Sequence, residues 1–155
     1  MPLDLEILSP NDRPALLALS TGDIHELASY ALTELGYKVH TAISHEDFMD
    51  RFNRIQYQVI MIEDNFGGVP PEKNYPLAHL QWMPTNLRRH ATILLIGDVF
   101  ETLNPMHAFH QSVHAVVNKI DCDKLSLILQ QVIHDNDHFL SAFRDVSARI
   151  AQGSR

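Results

Sequence analysis

A continuous apolar run at residues 59–62, Val-Ile-Met-Ile, constrains the fold of this chain more than any other feature. Continuous rather than alternating apolarity is typical of a strand that is covered on both faces, as in a parallel sheet. The run ends abruptly at Glu63 and Asp64, and Gly67 and Gly68 follow in a loop. Ligands of such sheets bind beyond the carboxyl ends of the strands, so these two carboxylates stand where a site is expected.

Four other segments read as strands, at residues 15–19, 37–42, 92–96 and 115–117. Apolar residues at helical spacing lie between them, which predicts five strands alternating with five helices. Short right-handed crossovers then give an α/β fold, a doubly wound five-stranded parallel sheet with helices on both faces. We expect residues 1–14 to be a linker or edge strand, residues 15–134 the domain, and residues 135–155 a helical extension and tail.

Capping residues and proline positions predict where the helices begin and break. Asp23, with Glu26 three residues later, is predicted to cap the first helix, and Ser44 the second. Asn104 before Pro105 predicts another helix start. Tyr75 to Arg89 is predicted to be helical with a break or restart at Pro84.

Composition excludes several classes of function. The chain has 155 residues and a formal net charge of −7, so it carries no overall basic field for nucleic acid. It lacks the run of about 18 apolar residues that a transmembrane helix needs, so no membrane partner is expected. The single cysteine, Cys122, excludes an internal disulfide and favours a reducing, cytoplasmic location.

Three phrases, in this order along the chain, resemble the receiver domain of two-component response regulators. Residues 32–52 are similar to the first helix, second strand and second helix of that family. YQVIMIED at 57–64 is similar to its third strand, and HAVVNKI at 114–120 to its fifth strand and the following lysine. The resemblance covers about residues 15–134 and implies a flavodoxin-like or receiver-like fold and a role in signalling.

The resemblance also identifies where the phosphorylation site of the family departs. Ser20 and Thr21 stand where the family has an acidic pair that holds Mg²⁺, and neutral hydroxyls are poor ligands for this cation. The register places Glu63 at the phosphoacceptor aspartate, with Asp64 one residue late. Lys119 is the one signature residue that is retained.

The remaining family positions differ as well. The family has a Ser or Thr after the fourth strand that contacts the phosphoryl group, and Ile96 and Gly97 occupy that region here. Val116 replaces the aromatic switch residue, and Ile120 follows the lysine in place of proline.

Phosphoryl transfer depends on positioning and on electrostatic stabilisation that includes the metal, so these losses predict a non-catalytic pseudo-receiver without metal or cofactor. Such a module would act by binding other proteins, with an ion pair between Glu63 and Lys119 standing in for the phosphorylated state. One alternative is an atypical receiver phosphorylated on Glu63 or Asp64, and another is a small-molecule sensor. The predicted vestigial phospho-site pocket, which the last two alternatives would use together with Asp98, is lined by Ser20, Thr21, Glu63, Asp64, Gly97 and Lys119.

Other constellations favour packing over chemistry. Asp23 and His25 lie in a phrase similar to the cobalt-binding motif of cobalamin domains, but Ala28 replaces its glycine. The spacing of His107, His110 and His114 would suit a metal on a helix, yet no acid or thiol completes a ligand set. Cys122 is expected to be inert because Asp121 and Asp123 flank it. Trp82 and Met83, near the basic Arg88 and Arg89, suggest either a protein interface or, as we slightly favour, core packing.

The C-terminal sequence predicts one long helix with an apolar seam. Leu125, Leu129 and Val132 begin the seam, with steps of four and three residues. Beyond His134 no sheet remains to be covered, and exposed apolar stripes commonly mark interfaces. A break at 135–137, with the second piece folding back, is the alternative. We predict a homodimer whose interface consists of Asn136, Phe139, Phe143, Val146 and Ile150.

Overall fold

The computed structural model describes residues 7–84 and 91–137 and contains one parallel sheet of five strands. The strand order is β2-β1-β3-β4-β5, so the chain reverses direction across the sheet between β1 and β3. The predicted doubly wound parallel sheet is therefore confirmed. The strands are β1 Pro14–Ala18, β2 Lys38–Thr41, β3 Val59–Glu63, β4 Thr92–Gly97 and β5 Ala115–Asn118.

The central strands form because they are covered on both faces. Every residue of β1, β3 and β4 is buried, as the continuous apolar runs require. The helices are α1 Gly22–Glu34, α2 His45–Arg54, α3 Tyr75–Trp82, α4 Pro105–Gln111 and α5 at 125–137, with 3₁₀ turns at Pro71–Lys73 and Lys119–Lys124.

The helices cover the sheet in two layers, each with its own apolar core. α1 and α5 pack on one face, where Leu32 and Leu129 are fully buried against alternate residues of the strands. α2, α3 and α4 pack on the other face, where Phe48 and Leu80 are fully buried. Since successive residues of a strand point to opposite faces, each fully apolar strand supplies both cores.

Two of the predicted helix starts are confirmed and one is wrong. The side chains of Ser44 and Asn104 accept backbone N–H bonds at the first turns of α2 and α4. Helix α1 begins at Gly22, with Thr21 rather than Asp23 at its N-cap, and the Thr21 hydroxyl makes no capping bond. The Thr21 hydroxyl donates instead to Glu63 Oε2 at the end of β3.

Helix α5 continues through residue 137 without a break at 135–137. The side-chain amide of Asn136 donates a 2.6 Å hydrogen bond to the Thr92 hydroxyl at the start of β4. α5 therefore runs from the carboxyl edge of the sheet to its amino edge. No helix among the described residues is both long and apolar enough to cross a membrane.

Candidate functional site

The candidate site lies at the carboxyl edge of the sheet, where β1 and β3 end side by side. The parallel register pairs Ala18 with Ile62, which brings the turn after β1 next to Glu63. Glu63 is the last residue of β3 and pairs with Ile96 of β4. The apolar run that fixes β3 in the core therefore also delivers the Glu63 carboxylate to the start of helix α1.

The Glu63 carboxylate is fully buried and is surrounded by hydrogen-bond donors. Its Oε1 accepts from the backbone N–H groups of Ser20, at 3.0 Å, and Thr21, at 2.8 Å. Its Oε2 accepts from the Thr21 hydroxyl at 3.0 Å. Thr21 is the N-cap of α1, so the carboxylate satisfies helix-start N–H groups and lies at the positive end of the helix dipole.

Lys119 completes the charge balance of this carboxylate. Its Nζ lies 3.4 Å from Glu63 Oε2 and 3.7 Å from Asp98 Oδ2. Burial alone would lower the pKa of Lys119, but the carboxylates of Glu63 and Asp98 outweigh this effect, so its pKa is raised and its charge is retained. The predicted ion pair between Glu63 and Lys119 is confirmed.

Asp64 has a different environment from Glu63. Its backbone N–H donates to Ile96 O, and its side chain extends over the end of β4. A Cβ atom at Gly97 would lie 2.5 Å from Asp64 Oδ2 and 2.7 Å from the Phe100 ring. Gly97 therefore leaves the space that Asp64 and Phe100 occupy. Burial raises the pKa of Asp64, and the nearby Lys119 opposes that rise.

The loops around the site are tied to one another by direct hydrogen bonds. The Ser20 hydroxyl accepts from Gly67 N–H at 3.1 Å and donates to Asn65 O at 3.4 Å. Gly67 has φ +85°, which a residue with a side chain rarely adopts. The ring of His45 lies against Gly67, and its Nε2 is 2.6 Å from Phe66 O. The loop after β3 is thereby fastened both to the turn after β1 and to α2.

Asn74 is a site residue that the sequence reasoning missed. It is buried, and its side-chain amide donates to the carbonyl oxygens of Glu63 and Asp64, both at 3.0 Å. Its side-chain oxygen accepts from Leu77 N–H and so caps α3. Asn74 precedes Pro76, which lies in the first turn of α3, and this pattern is the signal that could have identified it as a cap.

The six predicted pocket residues thus come together at one edge, where the side chains of Ser20, Thr21, Glu63 and Lys119 already bond within the protein. Ser20, Thr21 and Lys119 bond to Glu63 or to the loop after β3, and Gly97 adjoins Asp64. A phosphoacceptor must present an accessible carboxylate oxygen and a metal position beside it. Glu63 is 0% exposed, and both its oxygens are occupied by donors from this chain. Across residues 7–84 and 91–137 no three His, Cys, Asp or Glu residues are grouped to hold a metal.

Val116 and Ile120, which stand where the family has an aromatic residue and a proline, differ in exposure. Val116 is fully buried in the core between the sheet and α2–α4. Ile120, which follows Lys119, is 83% exposed beside the site. Neither residue contributes a polar group to the site.

The histidines of the competing motifs bond within the protein. His25 Nε2 lies 2.9 Å from the Thr41 hydroxyl. His107 and His110 lie on α4, but His114 follows the end of that helix. The Nδ1 atoms of His107 and His114 accept from Glu101 N–H and Ile93 N–H. The three histidines therefore do not share one helical face.

The environment of Cys122 suppresses its nucleophilicity. The residue is buried, and burial, together with the nearby Glu63 and Asp121, raises the pKa of its thiol to about 11. The thiolate is the reactive form, so this cysteine is a poor nucleophile near neutral pH.

Two predictions for surface residues have different outcomes. Trp82, for which core packing was favoured, is 86% exposed at the end of α3, so that prediction is wrong. Helix α3 ends at Trp82 and uses other positions to face the core, and Arg88 and Arg89 lie outside the described residues. Of the predicted dimer residues, only Asn136 is described, and it bonds to Thr92 of its own domain.

Comparisons with known proteins place the chain by its fold. No family model matches it, and no curated protein is similar to it in sequence. The chemotaxis response regulator CheY4 of Vibrio cholerae superposes with a TM-score of 0.61 at 15% identity, covering 79% of this chain and 99% of its own. HP1043, an orphan response regulator of H. pylori, has a TM-score of 0.57 at 17% identity, with 77% and 95% covered.

A third solved structure agrees with these two. The signal receiver domain of an HD domain-containing protein from Pseudomonas fluorescens Pf-5 has a TM-score of 0.57 at 16% identity, with 85% of this chain and 94% of that one covered. The superpositions establish a shared fold. Because the sequence identities are this low, the chemistry of the site has to be inferred from its own residues. The chain has the receiver-like fold of response regulator signalling domains.

Proposed function

We propose that this chain is a non-catalytic pseudo-receiver, a signalling module that is not phosphorylated and acts through protein–protein binding. The observation that carries the proposal is the Glu63 carboxylate, which is buried and fully occupied by Ser20, Thr21 and Lys119. A phosphoryl group on Glu63 would require these partners to separate and about one further negative charge to be accommodated, because an acyl phosphate of charge about −2 replaces a carboxylate of charge −1. The ion pair instead holds the strand-end site in one state.

The same contacts explain why the proposed module would not bind Mg²⁺ at this site. In the family that the chain resembles, the acidic pair after the first strand holds the metal. Here Ser20 and Thr21 offer hydroxyl groups, and these already bond to Asn65, Gly67 and Glu63. Mg²⁺ prefers carboxylate oxygens in octahedral geometry, and these hydroxyls do not supply them.

Incubation with Mg²⁺ and acetyl phosphate, followed by intact-mass measurement, tests the proposal. We expect no mass increase by one phosphoryl group, while an active receiver labelled in parallel shows that the donor is competent. The Glu63→Gln and Asp64→Asn variants serve as matched controls. A stoichiometric, base-labile adduct that either substitution removes would overturn the proposal and establish an atypical phospho-accepting receiver.

The proposed module also forms a homodimer through the C-terminal seam that begins at Asn136 and includes Phe139, Phe143, Val146 and Ile150. Support comes from α5, which continues unbroken to residue 137 and brings the chain to the amino edge of the sheet. The four apolar seam residues lie outside the described residues. Light scattering of the full chain at micromolar concentration should give twice the monomer mass, and Phe143→Asp should give a monomer. A monomeric wild-type chain would contradict the dimer.

A further inference from the structure

Helices α2 and α3 together present aromatic side chains to solvent at regular spacing. Each helix contributes residues at positions i, i+4 and i+7, which lie on one side of a helix. Trp82 is 86% and Tyr75 50% exposed, whereas the α2 residues are half-buried. We call this surface the aromatic face; its residues are His45, Met49, Phe52, Tyr75, His79 and Trp82.

Ring contacts across the two helices make the aromatic face continuous. The rings of His45 and Tyr75 are perpendicular, with centroids 4.9 Å apart. Those of Phe52 and His79 are also perpendicular, at 5.5 Å. These contacts join the stripe of α2 and the stripe of α3 into one surface.

A depression near the amino edge of the sheet adjoins the aromatic face at Phe52. It has a volume of about 630 Å³, and its other lining residues include Arg54, Ile55, Tyr57 and Met83. Aromatic residues, methionine and arginine are enriched in the buried centres of protein interfaces, and tryptophan and tyrosine dominate their binding energy. A surface of this composition is expected to be covered by a partner.

The charge and shape of the aromatic face restrict what can cover it. Glu46 and Asp50 are exposed on α2 beside the stripe, and Asp50 pairs with Arg54 at 2.9 Å. If two copies of the face packed on each other, the Glu46 carboxylates would be brought together, which disfavours a face-to-face dimer. An apolar surface formed by two adjacent helices instead suits an amphipathic helix with anchors at i, i+4 and i+7, and Glu46 favours one that carries positive charge.

The C-terminal segment of this chain, residues 138–155, has both properties in its sequence. Its apolar residues Phe139, Phe143, Val146 and Ile150 follow steps of four, three and four. Three arginines and one aspartate give the segment a formal charge of +2. Because the whole chain carries −7, residues 1–137 carry −9. Opposite charge and matching spacing identify the segment as a suitable occupant.

The direction of α5 favours the segment of a second copy over that of the same copy. α5 packs with α1 on the face of the sheet opposite to α2 and α3. Its Asn136 contact with Thr92 brings the chain to the amino edge. The sequence from 125 to 152 contains no glycine or proline, so it predicts a helix that continues away from its own domain.

We propose that the aromatic face of one copy binds the C-terminal segment of a second copy, so that the homodimer is built from two such exchanged contacts. This inference rests on the proposed dimer and specifies its receiving surface. It differs from a self-paired seam, in which the C-terminal segments would contact only each other and leave Trp82 in water.

Trp82 reports on the contact directly, because it is the only tryptophan of the chain. Emission wavelength and acrylamide quenching of the full-length wild-type chain are measured over a dilution series, with light scattering at each concentration. The dimer should show blue-shifted emission and protection of Trp82 from acrylamide. Both signals should revert to those of an exposed indole as the dimer dissociates on dilution.

Two tyrosines provide a matched pair of variants. Tyr75 lies on the aromatic face, and Tyr30 is 66% exposed on α1, on the other side of the sheet. Tyr75→Ala should weaken dimerisation by about tenfold or more, as for a central interface residue, and Tyr30→Ala should leave it within about twofold. Circular dichroism checks that both variants are folded, and the quenching of the wild-type chain requires no variant.

Each outcome decides the question. A dimer with protected Trp82 supports the inference. A dimer with freely quenched Trp82, or equal effects of the two tyrosine variants, overturns it and leaves the proposed homodimer intact. A monomer with exposed Trp82 overturns both, and a monomer with protected Trp82 shows that the segment of the same copy, or another part of the chain, covers the face.

Discussion

Replacing Glu63 with alanine should destabilise the protein more than any exposed substitution at the same edge of the sheet. The change leaves the Lys119 ammonium, whose side chain is 19% exposed, without its closest partner. It also leaves the N–H groups of Ser20 and Thr21 without their acceptor. Loss of one member of a buried ion pair costs about 3–5 kcal/mol, and the partial exposure of Lys119 places the expected loss near the lower value, about 3 kcal/mol.

Glu63→Gln separates the charge from the shape of the side chain. The glutamine oxygen can still accept from the two backbone N–H groups, but the ion pair is lost. We expect a loss of about 1.5–3 kcal/mol, the range for hydrogen bonds to charged groups. Asp98→Ala is the matched control, because Asp98 is 76% exposed at 3.7 Å from the same ammonium. Its contribution should be below about 1 kcal/mol, as for exposed ion pairs.

Urea unfolding followed by far-ultraviolet circular dichroism measures all three variants against wild type. Equal slopes with urea concentration would show that the extent of unfolding is unchanged, so that midpoints can be compared directly. If Glu63→Ala loses less than about 1 kcal/mol, or no more than Asp98→Ala, then Glu63 does not hold the site together and the reasoning is refuted.

Three further predictions concern the neighbours of Glu63. Burial raises the pKa of Asp64 in the folded state above 3.8, its value in the unfolded chain, so the ionised carboxylate destabilises the fold at neutral pH. Asp64→Asn should therefore raise the free energy of unfolding at pH 7, and the difference from wild type should close as the pH falls toward 3.8. A difference that does not change with pH would contradict this reasoning. Gly97→Ala should lower the free energy of unfolding in urea by about 1–3 kcal/mol, because the added Cβ overlaps Asp64 and Phe100. The loss should be smaller in the double variant in which Asp64 is also alanine. Cys122 should react with a thiol reagent at pH 7 at a rate that rises strongly in unfolding concentrations of urea, and equally fast labelling of the folded chain would contradict its burial.

Most of the fold could be predicted because its signals are local and redundant. The apolar run of β3 and its abrupt polar end predicted both the buried strand and the edge at which the site lies. Ser44 and Asn104 have side chains that cap a helix in place, so their role is visible in sequence. Asp23 was assigned wrongly because Thr21 holds the N-cap position and its hydroxyl donates to Glu63, 42 residues away in the chain, a contact that no local pattern shows.

The sequence predicted which residues form the site but not how they contact one another. Strand-end positions in a parallel sheet predict which residues meet, so Glu63 and Lys119 could be paired. The sequence did not show that the Glu63 carboxylate would be wholly buried, because that depends on how the loop after β3 closes over it. Asn74 fixes that loop through two carbonyl oxygens, a contact that only the folded chain reveals. The exposure of Trp82 also depends on where α3 ends and could not be read from its apolar character.

The unusual residues of the site form one mutually dependent set. The additional methylene of glutamate, relative to aspartate, lets the carboxylate of Glu63 extend to the start of α1, where Thr21 donates from both its backbone and its hydroxyl. A carboxylate at position 21 would lie about where that hydroxyl is, 3.0 Å from Glu63 Oε2, and two unneutralised carboxylates at such a distance repel each other. The glycine at 97 in turn makes room for Asp64, which follows Glu63 in the chain. A carboxylate at position 21 or a side chain at position 97, introduced alone, would therefore disturb a contact of Glu63 or Asp64, in agreement with the fixed, neutralised site of the proposed function.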